Sequence, residues 1–460
     1  MFGVLITLLA VVAIAYFVIK NYYPPMMLLL LGIVLLVIGG IMGNDPVSAK
    51  TATNFFGFDL AQALTDLLKS RLGGLGLNIM AIAGFSYYMN KIGASKSLVK
   101  LCIRPLSAIR SPYVLLGVTY LVGQTMALFI NSAVGLGLLL MASIYPLLVS
   151  LGVRRAAAAA VIGSTCCLDL GPSSSNAMRA ADLVGTDVVT YFVTGQIPVA
   201  VCVMLSIAIG HFLIQRWFDR REAAKGIADN VEGANAGSKT EDAFADAGPA
   251  HYAILPILPL FLLIIFSPMV YAGIKLSLVT AIIVSILIAF VVDLLTRRTF
   301  KQCCADGQAF FEGMGKVFIS TVSLIVCAEL FAVGLTKVGG ISTLIQLAAS
   351  QEGLGLGLML FVMMAIMVVA TIVTGSGNSA FFAFSPLLPE AAASVGYNTM
   401  ALVIPVQLAA SLARPMSPIS GVIIAVSGIA GLSPIELIRR TIPVMVIGMV
   451  VNVVASLVFL

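Results

Sequence analysis

Four short polar segments interrupt apolar stretches of the chain, and their residue types are those that bind ions and carboxylates. The segments are FINSAVG (129–135), LGPSSSNA (170–177), VTGSGNSA (373–380) and ARPMSPISG (413–421). Amide, hydroxyl and carbonyl oxygens suit a hard cation such as Na⁺. Helix N-termini that face a cavity offer N–H donors and partial positive charge to an anion. Because each segment carries both kinds of group, the four segments predict sites for an anion and a coupling cation.

Arg414 is the first candidate for recognition of the anion. Between Glu390 and Glu436 it is the only charged residue, and a charge inside the membrane is costly enough to indicate function. A guanidinium holds a carboxylate through two hydrogen bonds. The alternative role is a structural salt bridge or a backbone cap. For Arg179, close to Asp182 and the outer surface, snorkelling is the simpler interpretation.

Asp169 and Glu329 are the acidic candidates for ion coupling. Asp169 lies just before the second polar segment, and Glu329 lies deep in the apolar stretch before TKVG (336–339). Either carboxylate could relay protons, and either could be a paired structural charge.

The composition defines the surroundings of these residues. Of 460 residues, 60% are hydrophobic and 10% are charged, and the mean hydropathy is +1.09. Runs such as 28–42 and 444–460 are of a size that crosses a ~30 Å hydrocarbon core as a helix. The run at 2–20 has no basic region ahead of it, so it predicts a retained first helix. The sequence therefore predicts an all-α polytopic membrane protein.

Nothing in the sequence is typical of an enzyme or a primary pump. It has no His-rich or carboxylate-paired cluster at membrane depth, as catalysis there would need. It also has no G-x-x-x-x-G-K-[ST] phosphate loop. We therefore expect no catalytic residues and no cofactor beyond a coupling ion, H⁺ or Na⁺. A channel remains an alternative, which saturable counterflow would exclude.

The polar segments belong to an internal repeat. NKIG (90–93) recurs as TKVG (336–339), NSA (131–133) as NSA (378–380), Pro172 as Pro418, and IPV (197–199) as IPV (442–444), at offsets of 246, 247, 246 and 245. Four matches in one order predict two copies of a unit, residues 1–214 and 251–460, joined by a polar linker at 215–250. Close packing or a kink would explain any single break, but it explains four breaks at matching positions less well.

The basic residues predict the orientation of the two copies. Most of the 26 Lys and Arg residues fall on one side of the predicted helices, which the positive-inside rule makes cytoplasmic. The linker is then cytoplasmic and both termini are periplasmic. The residues on the other side are Lys50, Lys69, Arg71, Lys275 and Lys337.

Each copy is predicted to hold about five membrane-crossing helices, one of them broken, and a re-entrant helical hairpin with NSA at its tip. In the first copy the early helices are expected near 2–20, 24–43 and 74–91. An odd number of crossings inverts the second copy relative to the first, which is the pattern of secondary transporters. Fully spanning hairpin arms would give the same parity, but they would put the polar tips at the surface.

Several motifs also carry a family resemblance. NSAVGLGLLLMA, TGSGNSAFFAF, ARPMSPISGVIIAVSG and IRRTIPV resemble the bacterial anaerobic four-carbon dicarboxylate carriers of the DcuC type, over essentially the whole chain. The tips and broken helices are more distantly similar to the divalent-anion/sodium symporters of the ion-transporter superfamily. The resemblance implies a homodimeric carrier of the bacterial inner membrane, with scaffold and transport subdomains and an elevator-like motion. It implies succinate, fumarate or malate as the substrate, with succinate efflux in anaerobic respiration as the role.

The segments and the resemblance together give the candidate residues. Predicted substrate-binding residues are Asn131, Ser132, Ser173, Ser174, Ser376, Asn378, Ser379, Arg414 and Ser417. Predicted ion-coupling residues are Asn131, Asn378, Thr374, Asp169 and Glu329, with a possible Na⁺ near Asn131 and Asn378. Predicted helix breaks are Pro172, Pro415, Pro418, Gly375 and Gly377. The symporters have Ser-Asn-Thr where this chain has Asn-Ser-Ala, which removes one oxygen ligand and leaves H⁺ as a rival to Na⁺.

The expected partners are a small dicarboxylate, the lipid bilayer and a second copy of the chain, with no nucleic acid. A carrier for a different organic anion, such as another carboxylate, an amino acid or a sugar acid, remains the alternative. Competition by unlabelled anions would separate the two.

Overall fold

The structure is a computed structural model, and it describes residues 2–20, 22–48, 50–103, 106, 109, 111–130, 132–225, 247–267, 270–271, 273–339 and 355–460. Within these ranges the elements are helical, and nine stretches are long and apolar enough to cross a membrane. Those stretches are Pro24–Ile41, Phe56–Lys91, Ala133–Ser150, Val188–Ala224, Leu278–Arg297, Phe300–Val338, Gly357–Thr374, Thr399–Ala430 and Pro434–Phe459. The prediction of an all-α polytopic membrane protein is confirmed.

The two halves of the chain contain similar series of helices. The first half forms α1 (Phe2–Ile19), α2 (Pro24–Ile41), α3 (Phe56–Arg71), α4 (Leu77–Lys91), α5 (Ala94–Ile103), α6 (Pro112–Met126), α7 (Ala133–Ser150), α8 (Arg155–Ser164), α9 (Ser175–Val184), α10 (Val188–Thr190) and α11 (Ile197–Ala224). The second half forms α12 (Leu258–Ile265), α13 (Leu278–Arg297), α14 (Phe300–Val317), α15 (Ser323–Val338), α16 (Gly355–Thr374), α17 (Gly377–Phe384), α18 (Leu388–Ser394), α19 (Thr399–Leu412), α20 (Gly421–Ala430) and α21 (Pro434–Phe459).

A kinked helix in each half supports the repeat. A π-helical turn joins α3 to α4 at Leu72–Gly76 and α14 to α15 at Phe318–Val322. Each kinked helix is followed within two residues by a glycine with positive φ, Gly93 at 78° and Gly339 at 75°. The shifts from 72 to 318 and from 93 to 339 are both 246 residues. The helix predicted near 74–91 is therefore the second part of a longer one, which bends because the backbone at Gly74 is non-helical.

Each half then continues with a helical hairpin and a broken helix. The hairpins are α6–α7 and α16–α17, and the broken helices are α8–α9 and α19–α20. This common order supports the predicted units 1–214 and 251–460, whose boundaries stay a prediction. Inversion of one unit relative to the other, and the re-entrance of the hairpins, also stay predictions.

One helix extends further than predicted. α11 continues past residue 214 to Ala224, because its last turns face a buried arginine on α21. Arg440 is 2% exposed, and it donates to Asp219 Oδ1 at 2.7 Å and to Glu222 Oε2 at 2.6 Å. The beginning of the predicted linker is thus helix that packs on the second half.

Sixteen of the 21 described α-helices pack in two groups. Group A consists of α2, α3, α4, α13, α14 and α15, in which α2 packs along α15 and α4 packs along α14. Group B consists of α6–α9, α11, α16, α17 and α19–α21, in which α11 packs along α21 and α16 packs on α19. The groups meet where α17 contacts α15 and where α9 approaches the kink at Leu72–Gly76.

Candidate functional site

A cavity of about 220 Å³ lies where the hairpin tips and the broken helices of group B meet. Residues from both halves of the chain line it. The lining includes Ala127, Ile130, Ala133, Val134, Cys166, Leu168, Asp169, Leu170, Ser174, Ser175, Gly375, Ser376, Asn378, Arg414, Ser420, Gly421 and Val422. The cavity thus brings together residues from all four polar segments.

Four helices begin at this cavity: α7, α9, α17 and α20. A serine occupies the N-cap position of each. The first three serines cap their own helices, through Gly135 N to Ser132 Oγ at 3.0 Å, Ala177 N to Ser174 Oγ at 3.3 Å and Ser379 N to Ser376 Oγ at 3.2 Å. Helix N-termini carry partial positive charge and free N–H donors. Their convergence therefore makes the cavity favourable for an anion.

Arg414 and Asp169 form an ion pair on the wall of the cavity. Arg414 Nη2 donates to Asp169 Oδ2 at 2.5 Å, and Arg414 Nη1 donates to the Cys166 carbonyl at 3.2 Å. Asp169 Oδ2 also accepts from Asn176 Nδ2 and from Ser411 Oγ, both at 2.8 Å. The two charged side chains remain 12% and 18% exposed, so the pair is reachable from the cavity. A carboxylate ligand for Arg414 must compete with Asp169.

Three buried glutamines hold the unwound stretch between α8 and α9. Gln124 donates to the Leu168 carbonyl at 2.8 Å, and its own Oε1 accepts from Leu168 N at 3.1 Å. Gln196 and Gln407 donate to the Asp169 carbonyl at 3.2 and 2.7 Å. Buried backbone N–H and C=O groups need hydrogen-bond partners. The three glutamine side chains supply partners where the break removes the helical ones. They fix the backbone that carries Asp169.

At two of the predicted helix-break positions, close backbone contacts require glycine. Gly375 has φ of 70°, and a Cβ there would lie 2.7 Å from the Ile419 carbonyl. A Cβ on Gly377 would lie 2.6 Å from the Ala410 carbonyl. A side chain at either position would push the second hairpin tip away from the second broken helix.

Ser173 and Ser417 are placed outside the cavity lining. Ser173 Oγ donates to the Leu128 carbonyl and Ser417 Oγ donates to the Ile372 carbonyl, each at 2.6 Å. Each carbonyl comes shortly before a hairpin tip. The second serine and the second carbonyl each lie 244 residues after the first, so the two hydrogen bonds are counterparts in the repeat. These two hydroxyls therefore link each broken helix to the hairpin arm of its own half. Substrate contact by Ser173 or Ser417 stays a prediction, and neither residue is in the described lining of the cavity.

The two NSA triplets do not occupy equivalent places. Ser132 is an N-cap residue, whereas Ser379 lies inside the first turn of α17 and donates to the N-cap Ser376 Oγ at 3.0 Å. Ser379 and Thr374 line a separate apolar cavity beside α1 and α2. The sequence repeat predicted Ser379 in the cavity lining, but the described lining contains Ser376 instead. The reason is that the N-cap residue of α17 is Ser376, three residues before Ser379.

The structure describes only one of the two asparagines predicted at the hairpin tips. Asn131 lies outside the described residues. Asn378 lines the cavity, with its Oδ1 3.4 Å from Arg414 Nη2 and its Nδ2 3.4 Å from Ser175 Oγ. An amide oxygen that faces a guanidinium is a poor ligand for a cation, so this geometry disfavours Na⁺ at Asn378.

The three prolines named as helix breaks lie between helices or in the short turn at 414–416. Pro172 lines a smaller cavity together with Ser173, and the Pro415 carbonyl accepts from Thr441 Oγ1 at 2.6 Å. Pro418 follows Ser417 and lies three residues before α20 begins at Gly421. All three interrupt helices rather than face the site.

Glu329 is placed at the contact between groups A and B, in a network that also contains Arg71, Arg179 and Asp182. Arg179 is 2% exposed, so it does not snorkel to the surface. The bonds are Arg71 Nε to Glu329 Oε2 at 2.5 Å, Arg179 Nη2 to Glu329 Oε1 at 2.8 Å, Arg179 Nη1 to Asp182 Oδ2 at 2.8 Å and Arg71 Nη1 to Asp182 Oδ2 at 3.2 Å. Arg71 and Glu329 belong to group A, and the other two belong to group B. We call these four residues the interface network.

Helical membrane spans, broken helices and a polar cavity between them define a polytopic membrane protein of the transporter class. Two solved structures share this fold. MtrF of Neisseria gonorrhoeae, described among antimetabolite efflux pumps, superposes with a TM-score of 0.60 at 15% identity, over 95% of this chain and 94% of that one. The YdaH transporter of Alcanivorax borkumensis, described as having an unusual topology, gives 0.61 at 17% identity, over 95% and 98%.

The sequence comparisons identify the family. The family model "DcuC: C4-dicarboxylate anaerobic carrier" matches residues 2–460, and the chain belongs to this family. A probable anaerobic C4-dicarboxylate transporter DcuC of Vibrio cholerae is 36% identical over 461 residues, covering 100% of this chain and 98% of the relative. The anaerobic C4-dicarboxylate transporter DcuC of Escherichia coli K12 is 35% identical over 454 residues, covering 98% and 95%.

Proposed function

We propose that this protein is a secondary transporter that moves C4-dicarboxylates such as succinate, fumarate and malate across the bacterial inner membrane. The observation that carries the proposal is Arg414 on the wall of a cavity where four helices begin. Guanidinium and helix N-termini both favour carboxylates, and the family relatives are named for such substrates. Succinate efflux is the proposed physiological direction. The protein acts as a carrier rather than as an enzyme.

We propose that Asp169 couples transport to protons. The Asp169 carboxylate accepts a hydrogen bond from the Arg414 guanidinium, the same group that is proposed to bind the substrate carboxylate. A proton on Asp169 weakens this pairing and releases Arg414 to the substrate carboxylate. Substrate and proton then bind together, which is symport. This scheme is favoured over Na⁺ at the tips, because Asn378 faces Arg414.

We propose that group A is the scaffold and group B the transport subdomain of an elevator-like carrier that works as a homodimer. The cavity lies within group B, so movement of this group carries the substrate with it. The interface network would hold one end state, since its four charges come from both groups. The cytoplasmic linker and periplasmic termini predicted from the charges complete this topology.

The test is uptake of labelled succinate into proteoliposomes that contain the full-length protein. Saturable uptake that unlabelled fumarate and malate inhibit is expected. Stronger inhibition by an amino acid or a sugar acid than by fumarate would support a carrier for another organic anion. Flux without saturation or counterflow would indicate a channel.

A further inference from the structure

We propose that Ser420 and the N-terminus of α20 bind the second carboxylate of the substrate, while Arg414 binds the first. This inference rests on the proposed function, because it assigns the two ends of one dicarboxylate to two places in one cavity. Ser420 was not among the residues that the sequence selected.

Ser420 differs from the other three N-cap serines at the cavity. The hydroxyls of those three accept a hydrogen bond from their own helices, whereas α20 has no side-chain cap. Ser420 is 1% exposed, and among the described residues its Oγ has no hydrogen-bond partner. A buried hydroxyl without a partner is unfavourable. It lines the cavity, so a ligand there can supply the missing partner.

The start of α20 is enclosed by both hairpin tips. A Cβ on Gly375 would lie 3.0 Å from Ser420 N, and a Cβ on Gly421 would lie 3.2 Å from Val134 Cγ2. The first N–H groups of a helix have no acceptor within the helix. Within the described residues no side chain caps α20, so these donors are available beside the Ser420 hydroxyl. Together they form a set of neutral donors for one carboxylate.

The charges around Ser420 favour an anion over a cation. In the described lining the one carboxylate is Asp169, which is already paired with Arg414. The residues beside Ser420 are Gly375, Gly421 and Val422, which bring no negative charge. The helix N-terminus itself repels a cation.

The two proposed subsites lie at the two ends of one helix break. Their separation would therefore select dicarboxylates by chain length. Arg414 begins the short 3₁₀ turn at Arg414–Met416, and Ser420 immediately precedes α20. The break therefore sets the separation between the Arg414 guanidinium and the start of α20 in this structure. A dicarboxylate of matching length reaches both groups, whereas a shorter or longer one loses a contact at one end.

The test compares Ser420→Ala with Ser427→Ala, a matched control on the same helix. Ser427 is 1% exposed, and its Oγ donates to the Ile424 carbonyl at 3.1 Å. Calorimetric titration of the purified full-length protein measures the Kd for succinate. We expect Ser420→Ala to raise this Kd about tenfold, as loss of a hydrogen bond to a charged group does. Ser427→Ala should stay within about twofold of the original protein.

A second variant separates ligand binding from folding. Asp is a favourable N-cap residue and complements the helix dipole, so Ser420→Asp should keep or raise the Tm. Its carboxylate would occupy the proposed subsite and repel the substrate, so succinate binding should be lost. Ser420→Ala should also reduce the difference in Kd between succinate and the three- and five-carbon dicarboxylates.

Two results at Ser420 would each overturn the inference alone. One is a Kd for Ser420→Ala within about twofold of the original protein, and the other is succinate binding that survives in Ser420→Asp. An equal loss in Ser427→Ala would likewise assign the effect to packing of α20. If the original protein, folded and monodisperse, binds no dicarboxylate, the proposed function fails first and this inference fails with it.

Discussion

Asp169→Asn tests the proposed competition between Asp169 and the substrate for Arg414. The substitution keeps the shape of the side chain and an oxygen acceptor, but it removes the negative charge. Arg414 stays charged in this variant, so its bond to the side chain at position 169 changes from an ion pair to a hydrogen bond between a cation and a neutral amide, and the attraction lost is on the order of 1–2 kcal/mol. The internal competitor for Arg414 is therefore weakened by about 1.4 kcal/mol, which corresponds to about tenfold tighter binding of succinate.

The pH dependence of binding gives the second part of this prediction. If succinate binds together with one proton, its Kd in the original protein should rise with pH, by up to about tenfold per pH unit. The measurement is calorimetric titration at several pH values at which succinate stays fully ionised. In Asp169→Asn the Kd should be lower and nearly independent of pH, because the proton acceptor is gone.

The control for this variant is Asp187→Asn. Asp187 caps α10 through Val189 N and Thr190 N, it is exposed, and it is not part of the described cavity lining. Asn is as good an N-cap as Asp, so binding and its pH dependence should not change. The reasoning is refuted if Asp169→Asn binds succinate more weakly than the original protein, or if it retains the original pH dependence.

Three further predictions concern the arginine, the second hairpin tip and the interface network. Arg414→Lys should insert normally but raise the succinate Kd at least about tenfold in the same titration, because an ammonium cannot form the two parallel bonds. Gly375→Ala should lower the free energy of unfolding by about 1–3 kcal/mol in thermal or denaturant unfolding, because φ is positive and a carbonyl of the second broken helix lies in the way. Glu329→Gln should lower the Tm, since Arg179 loses one of its two carboxylates, while proton-driven uptake persists.

Each of these predictions has an outcome that would contradict it. An unchanged Kd in both Arg414→Lys and Arg414→Gln would make this arginine structural. For Gly375→Ala the control is Gly428→Ala, which has open space around the new Cβ and should be neutral or stabilising. Equal Tm values for the two glycine variants would argue against the close contact at the tip. Loss of the proton response in Glu329→Gln would move the coupling site to the interface network.

The main residues of the candidate site could be predicted because they are chemically out of place in their segments. A charged Arg414 in an apolar stretch and Asp169 beside a Gly-Pro pair are visible in the sequence alone. Their pairing is not, since 245 residues separate them. The sequence therefore offered substrate binding and salt bridging as alternatives for Arg414. The fold shows the ion pair with Asp169 and places it on the cavity wall, where the proposed substrate contact is compatible with it.

Other features could not be predicted because they depend on tertiary neighbours. A Gln in an apolar helix is a signal of a buried polar contact, but Gln407 meets the Asp169 carbonyl across 238 residues. The identical NSA triplets suggested equivalent tips, yet the cap position of α17 lies at Ser376 rather than at Ser379. The extension of α11 to Ala224 depends on Arg440 in the other half of the chain.

The most direct test of the central claim is uptake of labelled succinate into proteoliposomes under an imposed proton gradient, compared with an imposed Na⁺ gradient. The proposed mechanism predicts that the proton gradient alone accelerates uptake by the original protein. It also predicts that Asp169→Asn exchanges succinate without responding to that gradient. Acceleration by Na⁺ alone would contradict coupling through Asp169, and no uptake by folded protein under either gradient would contradict the proposed substrate.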